Sequence, residues 1–303
     1  MKLSKNQLKE IRYFLEYILV IPFLLIMRPF SIEAKSRFGV FVGRFIMYPF
    51  LLWNGGKKRY TILVKNLEIV LGRKISTKEA GTMVKEYCAN IARIFTEGLG
   101  QRQMTKEWLV NHVSTKGINE LIAMHKSGKT IIVPSAHIGN WEIAHKYLYE
   151  VHGIQTTIIY RKQNNLRLDH AYVKERTHVE LIEKRDPSAL KKMLKSLNNN
   201  RILVILLDQR DQKNGEQIEF FGNKAPFATA IARLAIKNNA YIYCGHCYRL
   251  GNNKFILSTE KPIIPSEHST PHGITQEIFN HFEQWIKNNP LQWFCLIQDI
   301  WKK

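Results

Sequence analysis

From residue 130 onward, short β-branched runs alternate with amphipathic helical stretches, and this alternation restricts the chain to an α/β arrangement. The runs are Thr130-Ile131-Ile132-Val133, Thr156-Thr157-Ile158-Ile159-Tyr160, Ile202-Leu203-Val204-Ile205-Leu206-Leu207 and Tyr241-Ile242-Tyr243, with another at 255–257 after a Gly251-Asn252-Asn253 turn. Helices are expected at 141–150, 166–177, 187–197 and 229–237, each short enough to make one crossover, and a last one at 274–286. The expectation for 127–303 is therefore one α/β region, a mixed sheet flanked by helices. Upstream the period changes. Ile62, Asn66, Leu67 and Val70, then Met83, Tyr87, Ile91, Ile94 and Phe95, recur at three- and four-residue steps, so 31–126 reads as a helical segment.

Residues 17–27 (YILVIPFLLIM) form an uncharged apolar run that includes Tyr17, Leu24 and Met27. A bilayer span needs about 20 apolar residues. With Lys9, Arg12 and Arg28 around it, the run either crosses with snorkelling basic side chains, lies in the interface, or packs as a core helix. Residues 1–30 are expected to be a membrane anchor, and Arg28-Pro29-Phe30 lacks the small-residue pattern of a cleaved leader. A second apolar stretch at 40–53 contains Arg44 and Pro49 and ends in Trp53, as a membrane-lying or docking segment would. Charge points the same way: 45 Lys and Arg against 25 Asp and Glu leave +20, which calls for an anionic partner such as nucleic acid, an acidic protein, a phosphorylated small molecule or an anionic membrane. With 45% hydrophobic and 23% charged residues the chain is neither disordered nor fibrous. Four irregularly spaced cysteines make no disulfide framework and suit a reducing compartment.

The segment 131–142 (IIVPSAHIGNWE) carries the chemistry. It reads as a buried strand running into a loop and then into a helix capped by Asn140. Ligands of open α/β sheets bind beyond the carboxyl ends of strands, so His137 leaves the sheet at the binding edge. Glu142 falls in the first helical turn, where the dipole favours a carboxylate. A carboxylate in reach of one imidazole nitrogen would fix the tautomer and raise the basicity of the other, as a general base requires. Arg161 also follows a strand and belongs on the same rim, either holding a phosphate or polarising a thioester carbonyl, or as an ordinary surface arginine. Asp208 closes the most apolar strand and needs partners there; it is read as a site residue or as the partner of Arg210 or Arg161.

His137 and Glu142 make an H-x-x-x-x-E box that resembles the late acyltransferases of lipid A biosynthesis, the lauroyl/myristoyl transferase family. The resemblance covers nearly the whole chain: the apolar N-terminus, Arg59, Asn66 and Glu97, the box, Tyr160-Arg161, Asp208-Gln209, and Phe220-Phe221-Gly222 stand in the family's order. It implies an anchored enzyme of the bacterial inner membrane with a cytoplasmic catalytic region. That enzyme would move a fatty acyl chain from acyl carrier protein to the hydroxyl of a 3-hydroxyacyl chain on a Kdo-bearing, phosphorylated lipid A precursor, without metal or other cofactor. His137 and Glu142 would be catalytic, and Arg161, Asp208, Gln209, Asn140, Phe221 and Gly222 would bind substrate. The chain departs from the family at Lys162, where proline is usual, at Ala228-Thr229, where glycine is common, and at 293–301 (WFCLIQDIW), which keeps the tryptophans of a Trp-x-His-Arg-Arg-Trp-like end and loses its bases.

Cys244-Gly245-His246-Cys247 has the letters of a redox motif. A redox pair, however, needs its first thiol at a helix N-terminus, and 241–249 alternates like a strand, so a structural role is expected. His268 and His272 read as solvated. Lys184, Arg185, Lys191, Lys192 and Lys195 form either a solvated face or a docking patch for acidic acyl carrier protein. The rival readings are an acyltransferase for a glycerophospholipid or other lipid acceptor, and a basic membrane-associated binding protein. Nucleic acid is not expected as a partner, since no helix-turn-helix, zinc-finger or RNA-binding aromatic signature is present.

Overall fold

The computed structural model describes residues 4–53, 55–251 and 253–302, so Asn252 of the expected turn lies outside the described residues. The N-terminal part is helical: α1 (Lys5–Met27), α2 (Ile32–Val42), a π-helical turn (Gly43–Met47), α3 (Tyr48–Leu52), α4 (Lys57–Leu71), α5 (Thr77–Gly98) and α6 (Lys106–His112). Then come β1 (Val113–Lys116), α7 (Ile118–Lys126), β2 (Ile131–Ser135), α8 (Trp141–His152), β3 (Thr156–Tyr160), α9 (Leu166–Lys174), β4 (Val179–Glu183), α10 (Ala189–Asn198) and β5 (Ile202–Leu206). A hairpin of β6 (Glu216–Phe220) and β7 (Asn223–Phe227) precedes α11 (Ala230–Lys237), β8 (Tyr241–Ile242), β9 (Gly245–Gly251), β10 (Lys254–Thr259) and α12 (Pro271–Asn288).

The α/β arrangement flanked by helices is as expected, and the expected mixed sheet is corrected in part. The central sheet, in the order β4-β3-β5-β2-β8, is parallel throughout, and mixed pairing is confined to a separate three-stranded sheet, β1-β10-β9. Helical crossovers between successive strands impose the parallel sense, which a period of two residues does not encode. The apolar runs at 130–133, 156–160, 202–207, 241–243 and 255–257 each supply a strand. β1, β4, β6 and β7 had no such signal. They lie at sheet edges or in the hairpin and carry Ser, Thr, Lys, Glu and Asn outward, as exposed strands do.

Side chains of the central strands alternate between two cores. Ile131, Val133 and Ile202 pack with α6, α7, α8 and the three-stranded sheet, whereas Ile132 and Leu203 pack with α4, α5, α11 and α12. The helical segment is tied in by close approach: a Cβ on Gly43 would overlap the Cys88 carbonyl and the Ala89 Cα on α5.

Among the described residues no helix is long and apolar enough to cross a membrane, which corrects the spanning reading of residues 1–30. α1 carries Lys9, Glu10, Arg12 and Glu16 in its first half, and its apolar remainder, residues 17–27, is only about 16 Å long. Met27 is buried and Tyr17 and Leu24 are half-buried; Asn165 donates to the Tyr13 carbonyl (2.9 Å) and to Glu16 (3.2 Å), laying α1 against α9. What α1 exposes instead is Leu8, Ile11, Phe14, Leu15, Ile18, Leu25 and Ile26.

His246, on β9, is buried between the rings of Tyr248 and Trp285 with no partner for Nδ1 among the described residues. Burial, reinforced by Lys116, brings its pKa down to about 3. An unfolded imidazole binds its proton near pH 6.5 while the folded one does not, so stability is complete above that pH and is lost as pH falls from about 6.5 towards 3. The unfolding free energy from urea titration should therefore drop between about pH 7 and pH 5, by up to about 1.4 kcal/mol per pH unit for this proton. His246→Phe, which keeps the packing, should reduce that slope.

Candidate active site

Ser135 pairs with Leu206 in parallel register, so β2 and β5 end side by side. The chain leaving β2 presents His137 and the chain leaving β5 presents Asp208. The Asp208 carboxylate, 0% exposed, accepts from the His137 backbone N–H (2.9 Å), from His137 Nδ1 (2.6 Å) and from Trp293 Nε1 (2.8 Å). Burial alone would raise this carboxyl, but the His137 imidazole and the three donors hold it below the ordinary aspartate range. With Nδ1 committed to Asp208, Nε2 has no protein partner among the described residues, and the ring lines a cavity of about 640 Å³. Arg161 and Gln209 are exposed on its rim, as the strand-end argument expects. The expected partners of Asp208, Arg210 and Arg161, are not the ones it has; Arg210 instead donates to the Asp299 carbonyl (3.1 Å).

Glu142 lies in the first turn of α8 as expected but does not reach His137. Its Oε2 accepts from Arg176 Nε (3.1 Å) and Nη2 (2.8 Å) and from Gln101 (3.2 Å), with His145 Nε2 at 3.5 Å. Burial opposes ionisation here, yet Arg176 and His145 outweigh it and bring the carboxyl to about 2. Arg176 is stacked on the Tyr172 ring at 3.5 Å. Beyond His145 lies His178 (3.0 Å between ring nitrogens), which burial and the neighbouring cations keep neutral, with a pKa of about 3. The carboxylate that orients the imidazole is thus Asp208, 71 residues away, and Glu142 anchors α8 to Arg176.

Asn140 occupies the N-cap position of α8, but its side chain makes no cap bond. It donates to buried Glu97 (2.8 Å), which also receives Arg249 (2.5 Å), so Asn140 ties the loop to α5 and β9. Gly139 adopts a φ of 60°, and a Cβ there would overlap the Cys247 carbonyl; only glycine lets the loop turn this close to β9.

The C-terminal segment completes the site. Phe294 N–H donates to the His137 carbonyl (2.8 Å) and Gly139 N–H to the Gln292 carbonyl (3.0 Å). Asn66 on α4 holds the Leu296 and Gln298 carbonyls (2.8 and 2.7 Å), and Tyr87 on α5 donates to the Phe294 carbonyl (2.7 Å). Phe221 and Gly222, expected to bind substrate, do not line the His137 cavity. They form the two-residue turn of the β6–β7 hairpin, both with positive φ (54° and 67°). Phe220 packs edge-on against Trp293 (5.7 Å between centroids) and accepts from Trp301 at its carbonyl (3.0 Å), which seats the indole that reaches Asp208. No sequence signal linked Arg176, Gln101 or His145 to Glu142; Trp293 was visible as a retained tryptophan without a partner.

The cavity wraps the carboxyl edge of the sheet. On one side its floor is a row across three strands, Val133, Val204 and Ile158, which are register partners, roofed by Ala144 and Leu148 of α8. On the other side Ile205, Met193 and Ile231 are joined by Lys184, Gln209 and Asp211. One group of side chains among the described residues has donor atoms close enough for a metal ion: His137, Asp208 and Cys295, all within 4.8 Å. Two of those atoms already share the Nδ1–Oδ1 hydrogen bond, and burial together with Asp208 pushes the Cys295 thiol well up. This set therefore suits a proton better than a cation. Cys244 and Cys247 are free and buried, with thiols pushed upward, Cys247 to about 12, the opposite of a redox pair. His268 and His272 are exposed.

Removing one member of the buried Glu142–Arg176 pair leaves the other charge unpaired. Glu142→Gln should cost about 3–5 kcal/mol of unfolding free energy, and the double substitution Glu142→Leu with Arg176→Met should recover much of it. Denaturant titration of the three proteins measures both.

An imidazole braced by a buried carboxylate and opening on a mostly apolar cavity can exchange a proton with a substrate that has an apolar part. Comparison with known proteins agrees. The chain is 24% identical over 248 residues to the phosphatidylinositol mannoside acyltransferase of Mycolicibacterium smegmatis, covering 80% of this chain and 79% of that protein. It is 25% identical over 185 residues to the protein of the same name from Mycobacterium tuberculosis, covering 59% of this chain and 57% of that one. The family model described as bacterial lipid A biosynthesis acyltransferase matches residues 1–303. By its whole length, then, this chain belongs to the bacterial lipid A biosynthesis acyltransferase family.

Proposed function

We propose that this lipid acyltransferase takes its acyl chain from the thioester of acyl carrier protein and transfers it to the hydroxyl of a 3-hydroxyacyl chain on a Kdo-bearing, phosphorylated lipid A precursor. The observation that carries the reading is the His137–Asp208 pair opening on an apolar cavity. His137 Nε2 takes the hydroxyl proton as the oxygen attacks the thioester carbonyl. Asp208 compensates the imidazolium that forms. As the tetrahedral intermediate collapses, the C–S bond breaks and the imidazolium returns the proton to the leaving thiolate. Arg161, on the rim, is assigned to the developing oxyanion or to an acceptor phosphate. No metal or other cofactor enters this scheme.

The acceptor is lipid-borne, and the N-terminal helices suit an interfacial position on the cytoplasmic side of a bacterial inner membrane. Phe41, Phe45, Ile46, Phe50, Leu52 and Trp53 are exposed, Trp53 by 72%. Phe23, Phe38, Phe41 and Phe45 run ring to ring at 5.8, 6.5 and 5.3 Å, joining α1 to the π-helical turn. Isolated apolar side chains are common on surfaces, whereas a continuous patch with basic neighbours marks a lipid or protein contact. Lys184 lines the cavity edge, and Lys191 and Lys195 on α10 are exposed beside it, the arrangement that a docking site for acidic acyl carrier protein requires. A second reading keeps the chemistry and changes the acceptor to another glycolipid; the named mannoside acyltransferases favour it.

His137→Ala should lower transfer by at least about two orders of magnitude, the usual worth of a general base, with the protein still folded. Asp208→Asn should lower kcat far more than it raises KM. Near-normal turnover in folded His137→Ala would end the mechanism. Mass spectrometry of lipids from cells with and without the gene decides the acceptor: loss of one acyl chain from lipid A supports the first reading, and loss from another glycolipid the second. Charge reversal at Lys191 and Lys195 should raise KM for acyl carrier protein and leave a short acyl thioester unaffected. Serine at Phe41, Phe45 and Trp53 should release the protein from anionic vesicles in a co-sedimentation assay.

A further inference from the structure

We infer that Gly245 sets the maximum length of the acyl chain this protein accepts. The inference rests on the acyltransferase reading for its substrate and on the cavity for its geometry. The side of the cavity floored by Val133, Val204 and Ile158 leads from His137 back beneath α8 and meets Ile118 and Leu121 of α7, Leu257 of β10 and Gly245 of β9. Ile118, Leu121 and Leu257 are almost wholly buried, so the slot is closed at that end. On this side the floor and the closed end are apolar, with Glu142 and His145 of α8 and Thr259 of β10 also lining the cavity, and the opposite side carries Lys184, Gln209 and Asp211; the hydrocarbon is therefore assigned to the floor and end of the slot.

A glycine inside a strand weakens it and calls for a reason. Gly139 and Gly43 have reasons in their backbones. Gly245 does not: its φ is not positive, and a Cβ built on it would stand 3.4 Å from the Ser258 carbonyl, Thr259 Cγ2 and Val133 Cγ1, which is ordinary packing distance. The backbone admits a side chain, and that side chain would rise beside Val133, on the floor of the slot. What the missing side chain provides is the last part of the space for the chain end. The same four letters that read as a redox motif, Cys244-Gly245-His246-Cys247, thus contain the end stop of the slot, with buried thiols packed on either side.

The test is a series of saturated acyl thioesters differing by two carbons, offered singly and in competition to the wild-type protein and to Gly245→Ala, Gly245→Val and Leu257→Ala. One methylene too many in a closed apolar pocket is worth about 10–200-fold in kcat/KM. Gly245→Val should lower kcat/KM for the longest accepted chain by about that factor while sparing chains a few carbons shorter. Gly245→Ala should do the same in smaller measure, and Leu257→Ala should extend the limit. Gly245→Ala, whose Cβ meets nothing closer than 3.4 Å, keeps the test open if the valine variant fails to fold. Native mass spectrometry of bound fatty acids, scanned by length, gives a readout independent of turnover. If transfer proceeds and the length limit is the same in wild type and folded Gly245 variants, the inference is wrong and the acyltransferase reading stands. If no acyl donor is turned over but the bound-length limit moves with residue 245, the transferase reading falls and the end stop stands.

Discussion

A carboxylate withdrawn completely from water has to be surrounded by donors, and at Asp208 the carboxylate and its donors together come from three separate parts of the chain. The backbone and ring of His137 come from the end of β2, the indole of Trp293 from the C-terminal segment, and the aspartate itself from the end of β5. Leaving any of them out would strand a buried charge at a cost of several kcal/mol. The same three bonds orient the imidazole. Stability of the sheet edge and the orientation of the ring are therefore one requirement.

That requirement explains the rest of the architecture. The helical segment does more than precede the α/β region: Asn66 and Tyr87 grip the carbonyls of the C-terminal segment and hold Trp293 in place. The β6–β7 hairpin, turned by Phe221 and Gly222, supplies the aromatic wall against which the indole sits. Glu97, buried on α5, joins Asn140 to Arg249 and fixes the loop after His137 from its other side. Glu142 forms a second carboxylate centre with Arg176, anchoring α8 over the cavity. Two acidic groups thereby have different partners, one an imidazole that opens on the cavity and one a guanidinium that stays charged.

Much of this was legible in the order of residues. The β-branched runs at 130–133, 156–160 and 202–207 became strands because apolar β-branched segments of that length are stable only when buried between layers. His137 could be placed at the carboxyl edge of the sheet because it follows such a run closely. Glu142 could be placed in a first helical turn by the same local logic, and Cys244 to Cys247 could be set aside because their setting alternates like a strand. The helical N-terminal region and the apolar surface of residues 40–53 followed from period and composition.

Pairing between distant residues was decided only by the tertiary structure. The nearest acid in sequence, Glu142, looked like the partner of His137, but helical geometry points it at Arg176, and parallel register between β2 and β5 brings Asp208 to the imidazole instead. Strand direction, the edge strands with mixed side chains, and the role of Phe221 and Gly222 as a turn were equally out of reach, since each depends on which neighbour a segment finds. Local sequence specifies backbone period and the face a residue takes; hydrogen-bond partners across 71 residues are selected by packing, which exists only once the layers have come together.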